Sequence, residues 1–218
     1  MGQKNVGEDF TSSRAGGYKT RPYVEQYPLE RSSAGRWFRA LRRKSFGSPT
    51  VVVSPTQWLL DLHRHAGFFS PSATTVIGNP VDVPSSAPPH AGAVRSFLFV
   101  GQLEGAKGIV VLLEAYRRLR EMFPDVRLQI VGDGSAAPLL KRMARDVRGL
   151  VLRGRLAPEQ VRSAIAESDV VVVPSLVAEN QPSVVLDAFA FGIPVIASRV
   201  GGIPELVHDG ATGLLADA

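Results

Sequence analysis

The sequence predicts an α/β fold built on a doubly wound, Rossmann-like parallel sheet, and three observations support this prediction. From residue 96 onward, short apolar runs alternate with stretches of helical length, and the connections between them are short. Residues 170–173 are four consecutive valines, which is typical of a strand buried on both faces of a parallel sheet. The 218 residues, 44% of them apolar, are enough for one full domain and part of another.

In the regular part of the chain each strand is followed by a helix, so right-handed crossovers should place helices on both faces of the sheet. We expect strands at residues 96–100, 127–131, 150–152, 170–173 and 195–198, with a last one near the C-terminus. We expect helices at residues 109–122, 138–147, 158–166 and 183–191. Gly192 is placed as the C-terminal cap of the last of these helices. We expect this domain, residues 94–218, to be truncated at its C-terminus, because a covering helix should follow the final strand.

The segment before this domain is less regular. We expect only short elements in it, a strand, a helix and a second extended run, at residues 50–53, 56–66 and 74–77. One strand and one helix cannot make a core, and residues 83–93 have the Pro, Ser, Ala and Gly content of a linker. We therefore expect residues 50–93 to be the remnant of a second domain with its linker, preceded by a poorly ordered basic segment at residues 1–49.

The net charge of +5 is concentrated at the front, since residues 1–47 hold 10 Lys and Arg against 4 Asp and Glu. Residues 1–33 lack a hydrophobic period and are expected to have little order. Residues 35–46 could form a basic amphipathic helix. We expect this helix to be solvated and packed on a domain edge; the alternative is peripheral contact with an anionic membrane surface. A nucleic-acid partner is not expected, because no platform of basic and aromatic residues recurs later.

Composition excludes several classes of protein. The chain has no cysteine, which excludes disulfides, thiol catalysis and cysteine-bound metal. No apolar stretch approaches the roughly 20 residues that cross a bilayer, and residues 1–20 lack the apolar centre of a secretory signal. We expect a cytoplasmic protein, with peripheral contact at the inner membrane face as the alternative for its basic segment.

The loop at residues 101–108, GQLEGAKG, joins a predicted strand to a predicted helix. Its glycines would let the backbone approach a phosphate, and Lys107 would supply a point charge at the helix start. The loop lacks the Gly-Lys-Ser/Thr of a Walker A motif and the Gly-x-Gly-x-x-Gly of dinucleotide folds. A flexible turn with a solvated lysine is the alternative interpretation of this loop.

Two carboxylates follow the valine strand. Asp187 is the one charge in an otherwise apolar predicted helix, and a buried carboxylate is costly unless something pairs with it. Glu179 lies eight positions earlier, in the loop after the strand. Ligands of open α/β sheets bind where strands end and helices begin, because backbone N–H groups and the helix dipole favour anions there. Two acids beside such a site suggest a ligand that carries both phosphates and hydroxyls. The later segment Gly201-Gly202-Ile203-Pro204-Glu205 could pass close to the same crevice, and Glu205 is assigned no role.

From about residue 96 to its end the chain resembles the GT-B glycosyltransferases of family 4, the glycosyl transferases group 1 family. The resemblance rests on four segments in this order: VGQLEGAKG, IVGDGS, PSLVAENQPSVVLDAFAFGIPVIAS and VGGIPELVHDGATGLLA. Upstream, a weaker resemblance links two segments to the last strand and helix of that fold's N-terminal domain and to its crossing linker, VVVSPTQWLLDLHRHAGF and TTVIGNPVD.

The resemblance implies a two-domain, hexosyltransferase-like enzyme. Such an enzyme moves a sugar from a nucleotide-diphosphate donor, such as a UDP- or GDP-sugar, to a glycan or glycolipid acceptor. It does so with retention of anomeric configuration, without a metal or another cofactor. This chain would be the C-terminal, donor-binding half.

The resemblance also implies site residues. In the family motif of two acids separated by seven residues, the first matches Glu179, which would contact the sugar and support the transition state. The second matches Asp187, which would hold the ribose hydroxyls. Lys107 matches the phosphate lysine, and Leu156 lies where the family stacks the base. The remaining donor contacts match Gly101, Gln102, Asn180, Gln181, Pro182 and Ser183, those of residues 180–183 through the backbone.

The chain departs from the family pattern at two positions. The second acid is usually glutamate, and Asp187 is one methylene shorter. Gln102 stands where an arginine often contacts the phosphates, so its charge is lost and donor affinity should be lower. Most of the acceptor domain of that fold has no counterpart in the sequence, so we expect the chain alone to bind a nucleotide without transferring sugar. The alternatives are a non-catalytic nucleotide-sugar-binding fragment, a degenerate paralogue, or another doubly wound nucleotide binder.

Overall fold

The computed structural model describes residues 33–85 and 92–217. Within these residues the chain forms a parallel sheet of six strands and a separate parallel pair of strands. The six-stranded sheet, with helices packed on it, confirms the predicted α/β class. Residues 1–32, for which we expected little order, lie outside the described residues, as do residues 86–91 of the expected linker.

Short elements form the front unit, and the larger domain follows it. The front unit contains helix α1 (Ser33–Phe46), strand β1 (Val51–Ser54), helix α2 (Gln57–His65) and strand β2 (Ala73–Val76). The larger domain contains β3 (Ser96–Val100), α3 (Ile109–Met122), β4 (Arg127–Val131), α4 (Ala137–Met143), β5 (Leu150–Gly154), α5 (Pro158–Ala166), β6 (Val170–Val173), α6 (Ser183–Ala190), β7 (Val195–Ser198), α7 (Ile203–Leu206) and β8 (Gly213–Ala216). A single 3₁₀ turn, Gly105–Lys107, leads into α3.

The observed bounds of β3, β4, β6, β7, α3 and α5 agree with the sequence prediction. The prediction was wrong at the end of α4, which stops at Met143 because the chain tightens into turns there, and the N–H of Val147 donates to the carbonyl of Ala144 at 3.1 Å. Helix α6 ends one residue earlier than predicted, and β5 extends to Gly154, which pairs with Val131 of β4.

The six strands lie side by side in the order β5-β4-β3-β6-β7-β8, and every neighbouring pair is parallel. Counted within the domain, this is the order 3-2-1-4-5-6. Strands β4 and β5 are added on one side of β3, and strands β6, β7 and β8 are then added on its other side. In open α/β sheets a crevice forms at this reversal, outside the carboxyl ends of the two central strands. Here the loops that follow β3 and β6 flank that crevice.

Two apolar cores lie on the two faces of the sheet. Val171 and Val173 of β6 belong to the core that α5 and α6 cover, whereas Val170 and Val172 belong to the core beneath α3 and α4. All four valines are buried, with exposed fractions between 0% and 9%. This alternation explains why β6 is a continuous apolar run, since both faces of the strand need apolar side chains.

The front unit is a small attachment to this domain. Strands β1 and β2 form a parallel pair, with Val51 opposite Ala73 and Ser54 opposite Val76. Helix α1 ends at Phe46, whose ring meets the rings of Phe68 and Phe69 edge-on, with centroids 6.4 Å apart in both cases. None of the helices in the described parts of the chain has the length and apolar character needed to cross a bilayer.

Candidate functional site

The centre of the site is a pair of opposite charges that joins the two loops at the crevice. Lys107 lies at the end of the 3₁₀ turn after β3, and Glu179 lies in the loop after β6. The Nζ of Lys107 is 2.5 Å from Oε1 of Glu179, which also accepts a hydrogen bond from the hydroxyl of Ser175 at 2.8 Å. The side chains remain 32% and 16% exposed, so a ligand can reach both. The structure therefore brings together two residues that sequence analysis placed 72 positions apart.

Main-chain contacts hold these loops against each other. The N–H of Leu176 donates to the carbonyl of Ala106 at 2.9 Å, which ties the loop after β6 to the loop after β3. Gly108 begins α3 with a φ of +70°, and a Cβ there would lie 1.7 Å from the carbonyl oxygen of Pro174. Only glycine permits this approach, so the glycine that ends GQLEGAKG is explained by close packing of two backbones.

The loop after β7 joins the same assembly. The N–H of Gly202 donates to the carbonyl oxygen of Glu179 at 2.8 Å. Gly201 has a φ of +59°, and a Cβ on it would lie 2.1 Å from that same oxygen. The backbone of Glu179 is therefore held by the paired glycines, for which sequence analysis left open a loop close to the crevice or an ordinary turn.

Asp187 has a partner that sequence analysis missed. Its carboxylate lies 3.7 Å from the guanidinium of Arg162 on α5, and 29% of its side chain is exposed, so it has a partner of the kind that a buried charge needs and also reaches solvent. Burial raises the pKa of Asp187; the positive charge of Arg162 opposes this shift, and the negative charge of Asp82 adds to it. Arg162 also lies over the ring of Phe191, 5.1 Å from its centroid, and donates to the carbonyl of Asp82 at 3.0 Å.

The side chains of Asn180 and Gln181 point to the front unit. The hydroxyl of Thr56 donates to Oδ1 of Asn180 at 2.6 Å. Oε1 of Gln181 accepts from the N–H of Asn79 at 2.5 Å, and its Nε2 donates to the carbonyl of Pro55 at 3.1 Å. These side chains thus link the loop that carries Glu179 to residues before the larger domain, while a ligand contact through their backbone stays a prediction.

The other predicted site residues occupy three separate places in the larger domain. Pro182 precedes α6, and Ser183 is its first residue, so both lie where helical N–H groups begin. Gly101 donates its N–H to the carbonyl of Val131 at 3.0 Å, and Gln102 is exposed beside it. Leu156 is partly buried against the core that α5 and α6 cover.

Glu104 is a second residue that sequence analysis did not single out. Its two carboxylate oxygens accept hydrogen bonds from the hydroxyl of Ser135, at 2.5 Å, and from the N–H of Ser135, at 3.0 Å. These two hydrogen bonds lower the pKa of Glu104. They hold the loop after β3 to the loop after β4, so Ser135, the last residue of the motif GDGS, stabilises the loop that carries Lys107. The signal was available, because Glu104 lies within the segment GQLEGAKG.

Glu205, which sequence analysis left without a role, binds the start of α2. Its two oxygens accept hydrogen bonds from the N–H groups of Gln57 and Trp58, at 2.7 and 2.5 Å. A carboxylate in this place satisfies N–H groups that have no partner inside the helix and favours the positive end of the helix dipole.

The arrangement suits an anionic ligand that also carries hydroxyls. Lys107 offers a positive charge, Glu179 and Asp187 offer acceptors for hydroxyls, and the first turns of α3 and α6 offer N–H groups. Within residues 33–85 and 92–217, no group of three or more His, Asp and Glu side chains is placed to hold a metal ion.

A family model described as "Glycosyl transferases group 1" matches residues 94–218. The chain belongs to this family. The match spans the whole six-stranded domain and includes Lys107, Glu179 and Asp187.

This chain is also similar in sequence to individual curated proteins. It is 34% identical over 126 residues to a lipopolysaccharide 1,2-N-acetylglucosaminetransferase of Salmonella typhimurium, covering 53% of this chain and 33% of the relative. It is 34% identical over 177 residues to a D-inositol 3-phosphate glycosyltransferase of Mycobacterium sp. strain KMS, covering 73% of this chain and 38% of the relative. The chain thus spans about a third of the length of these relatives.

Solved structures agree with the fold. The crystal structure of Anabaena Alr3699/HepE in complex with UDP and glucose is similar at a TM-score of 0.68 with 22% identity, and the match covers 88% of this chain and 54% of that one. The lipopolysaccharide outer core galactosyltransferase WaaB, in its apo form, is similar at a TM-score of 0.64 with 24% identity, covering 77% and 48%. These similarities confirm the Rossmann-like fold of the six-stranded domain.

Proposed function

We propose that the chain is the C-terminal, donor-binding half of a retaining GT-B glycosyltransferase of family 4. The observation that carries this proposal is the pairing of Lys107 with Glu179 at the reversal point of the sheet. A cation and a carboxylate in contact there can serve the two parts of a nucleotide sugar, its diphosphate and its hexose.

In the proposed site, the diphosphate binds Lys107 and the N–H groups at the starts of α3 and α6. These groups stabilise the negative charge that grows on the leaving nucleoside diphosphate as the bond to the sugar breaks. Glu179 then accepts hydrogen bonds from the sugar and supports the positive charge that develops at its anomeric carbon. The lysine and the N–H groups supply the charge that a metal ion supplies in other transferases, so no metal is part of the proposal.

The nucleoside lies toward α5 in this proposal. Asp187 accepts hydrogen bonds from the ribose hydroxyls, and Leu156 provides the apolar surface for the base. The acceptor is a glycan or glycolipid. In support, the relatives include a lipopolysaccharide N-acetylglucosaminetransferase and a phosphatidyl-myo-inositol mannosyltransferase of Mycobacterium leprae. The cysteine-free sequence supports a cytoplasmic place for the protein.

Calorimetric titration with UDP and GDP tests the donor site. Lys107→Met should weaken binding of one of these nucleotides roughly tenfold at low salt, because a charge-assisted hydrogen bond is lost. Salt should weaken the variant less than the wild type, since the screened charge is gone. Arg118→Met is the matched control: it removes a positive charge from the exposed side of α3, about 15 Å along the helix from its start, and should leave affinity unchanged.

The variant Glu179→Gln completes this test. A phosphate that binds Lys107 competes with the Glu179 carboxylate, so removal of that carboxylate's charge should not lower the affinity for a free nucleoside diphosphate. Equal affinities of wild type and Lys107→Met at low salt would contradict the proposal and return Lys107 to a solvated turn.

A non-catalytic nucleotide-sugar-binding protein is the second candidate. It is favoured by the uncharged Gln102 and by the pairing of Asp187 with Arg162. The two candidates differ in what happens to the sugar bond. In a catalytic half, incubation with a labelled UDP- or GDP-sugar should release free sugar slowly to water, and Glu179→Gln should abolish the release. Binding without any release by the wild type would favour the second candidate.

A further inference from the structure

Helix α1 presents an apolar face to solvent. Successive helical residues are about 100° apart, so Trp37, Leu41 and Phe38 fall within an arc of about 100° on one side of the helix. Their exposed fractions are 65%, 44% and 59%. Sequence analysis expected the helix to pack on a domain edge, and the structure does not bury these three side chains.

The opposite side of the helix fastens it to the protein. Phe46, roughly 130° around the helix from the middle of the exposed face, is the residue that meets the rings of Phe68 and Phe69. Arg43 lies on the same side as Phe46, and its guanidinium lies against Gly67. The helix is therefore held by one side while Trp37, Phe38 and Leu41 point away from the domain.

Positive charge flanks the exposed face. Arg42 and Lys44 are exposed and lie on either side of this face, and the sequence of α1 also contains Arg36, Arg39 and Arg43. The helix contains no Asp or Glu. A face of two aromatic residues and a leucine, bordered by cations and without an anion, has the pattern of helices that lie in the plane of a membrane interface.

We propose that α1 docks the protein on an anionic bilayer surface, with Trp37, Phe38 and Leu41 inserted at the boundary between headgroups and acyl chains. Trp is suited to this boundary because its ring is apolar and its N–H can remain hydrated. Leu41 favours a membrane over a nucleic acid as the partner, because a nucleic acid offers base faces and phosphates but no apolar surface on which an aliphatic side chain could pack. The proposal is independent of the sugar transfer proposed above.

Sedimentation with vesicles tests the docking. The full chain should bind vesicles of phosphatidylcholine and phosphatidylglycerol in equal parts and should bind phosphatidylcholine alone at least tenfold more weakly. Trp37→Ser combined with Phe38→Ser should reduce binding at least tenfold. The matched control, Met122→Ser with Phe123→Ser, removes an adjacent apolar pair that is 66% and 56% exposed at the end of α3, and should bind like wild type.

A second measurement reports on Trp37 directly. The chain has two tryptophans, so Trp58→Phe leaves Trp37 as the single emitter. Its emission should shift to shorter wavelength on addition of the anionic vesicles, and lipids with brominated acyl chains should quench it. Arg42→Gln with Lys44→Gln should remove the preference for the anionic vesicles, and the surface pair Arg118→Gln with Lys141→Gln should not.

Two vesicle results would overturn the proposal: wild type does not bind the anionic vesicles, or the variant at Trp37 and Phe38 binds them as strongly as wild type does. Emission of Trp37 that is already at shorter wavelength without vesicles would also overturn it, because residues 1–32 or a second copy would then cover the face. Binding of an RNA homopolymer instead of vesicles would overturn it as well.

Discussion

At the scale of single residues, the site is defined by charges that have partners. Lys107 is paired with Glu179, and Asp187 with Arg162, so each carboxylate that the sequence suggested for ligand binding also has a cation beside it. A ligand must therefore exchange one partner for another instead of meeting a free charge. This lowers the cost of keeping the carboxylates half-buried in the protein itself.

Asp187→Asn separates ligand binding from structure. Because burial raises the pKa of Asp187 in the folded chain, folding favours its neutral form, and the charged form costs stability at neutral pH. The asparagine variant should therefore be at least as stable as wild type at pH 7. Its advantage should vanish as the pH falls through the raised pKa, where the wild-type carboxyl becomes neutral as well. Its affinity for UDP or GDP should fall roughly tenfold, since a weaker acceptor meets the ribose.

Thermal melts and calorimetric titrations of the same samples measure both effects. Asp146→Asn, at an exposed aspartate after α4, is the control for loss of one negative charge. A large fall in melting temperature with unchanged affinity would show that Asp187 serves the fold through Arg162 and does not hold a ribose.

At the scale of elements, the loop after β7 sets the position of the loop after β6. Gly201→Ala should disturb the site without touching any side chain in it, because the new Cβ would lie 2.1 Å from the carbonyl oxygen of Glu179. We expect a loss of more than about 2 kcal/mol in the free energy of unfolding, from left-handed strain together with the clash. Nucleotide affinity should fall because the displaced loop leads into the start of α6, whose N–H groups are proposed to bind the diphosphate.

Gly210→Ala isolates the strain from the clash. Gly210 has a φ of +78°, and a Cβ there meets nothing within 4 Å. The free energy of unfolding of this control should fall by only about 1 kcal/mol, which is the cost of the left-handed conformation, and its nucleotide affinity should be unchanged. Urea unfolding curves and titrations of both variants provide the comparison, and equal losses in the two would mean that the close approach at Gly201 relaxes without consequence.

At the scale of the whole molecule, polar contacts join the front unit to the larger domain at the site itself. Asn180 and Gln181 bind Thr56 and Asn79 of the front unit, and Glu205 binds the adjacent start of α2. These contacts resemble those of an interface between domains, which is more polar than a core.

Glu205→Gln tests how far the two units depend on each other. The amide keeps the size of the side chain but loses its charge and one acceptor. The first turn of α2 is then less well stabilised, and the free energy of unfolding should fall by about 1 kcal/mol. Urea unfolding followed by the emission of Trp58, in a Trp37→Phe background, measures the effect where it occurs. The exposed Glu121→Gln on α3 is the control. If the two variants unfold alike, the carboxylate does not support the junction.

The sequence predicted the strands and helices well where local signals were strong. Helix α3 has an apolar face that includes Ile109, Leu112 and Tyr116, and β6 is a run of valines, so both could be placed without tertiary information. The Lys107–Glu179 pair was also within reach, because parallel strands end at one edge of a sheet. Arg162 was not, since it meets Asp187 only through the packing of α5 on α6.

The role of Glu205 was likewise hidden, because its partner Gln57 lies 148 positions away and the contact depends on how the front unit docks. The exposed face of α1 was visible as a pattern, but the side that packs could be identified only when Phe46 was seen against Phe68 and Phe69.

Beside the Lys107–Glu179 pair, hydrogen bonds from main chain to main chain join the three loops of the crevice, from Leu176 to Ala106 and from Gly202 to Glu179. Such bonds do not depend on which side chains the loops carry, apart from the glycines that allow the close approach. The exposed side chains of these loops can therefore be exchanged, and the contacts that they offer to a ligand with them, while the main-chain frame that holds the loops stays the same.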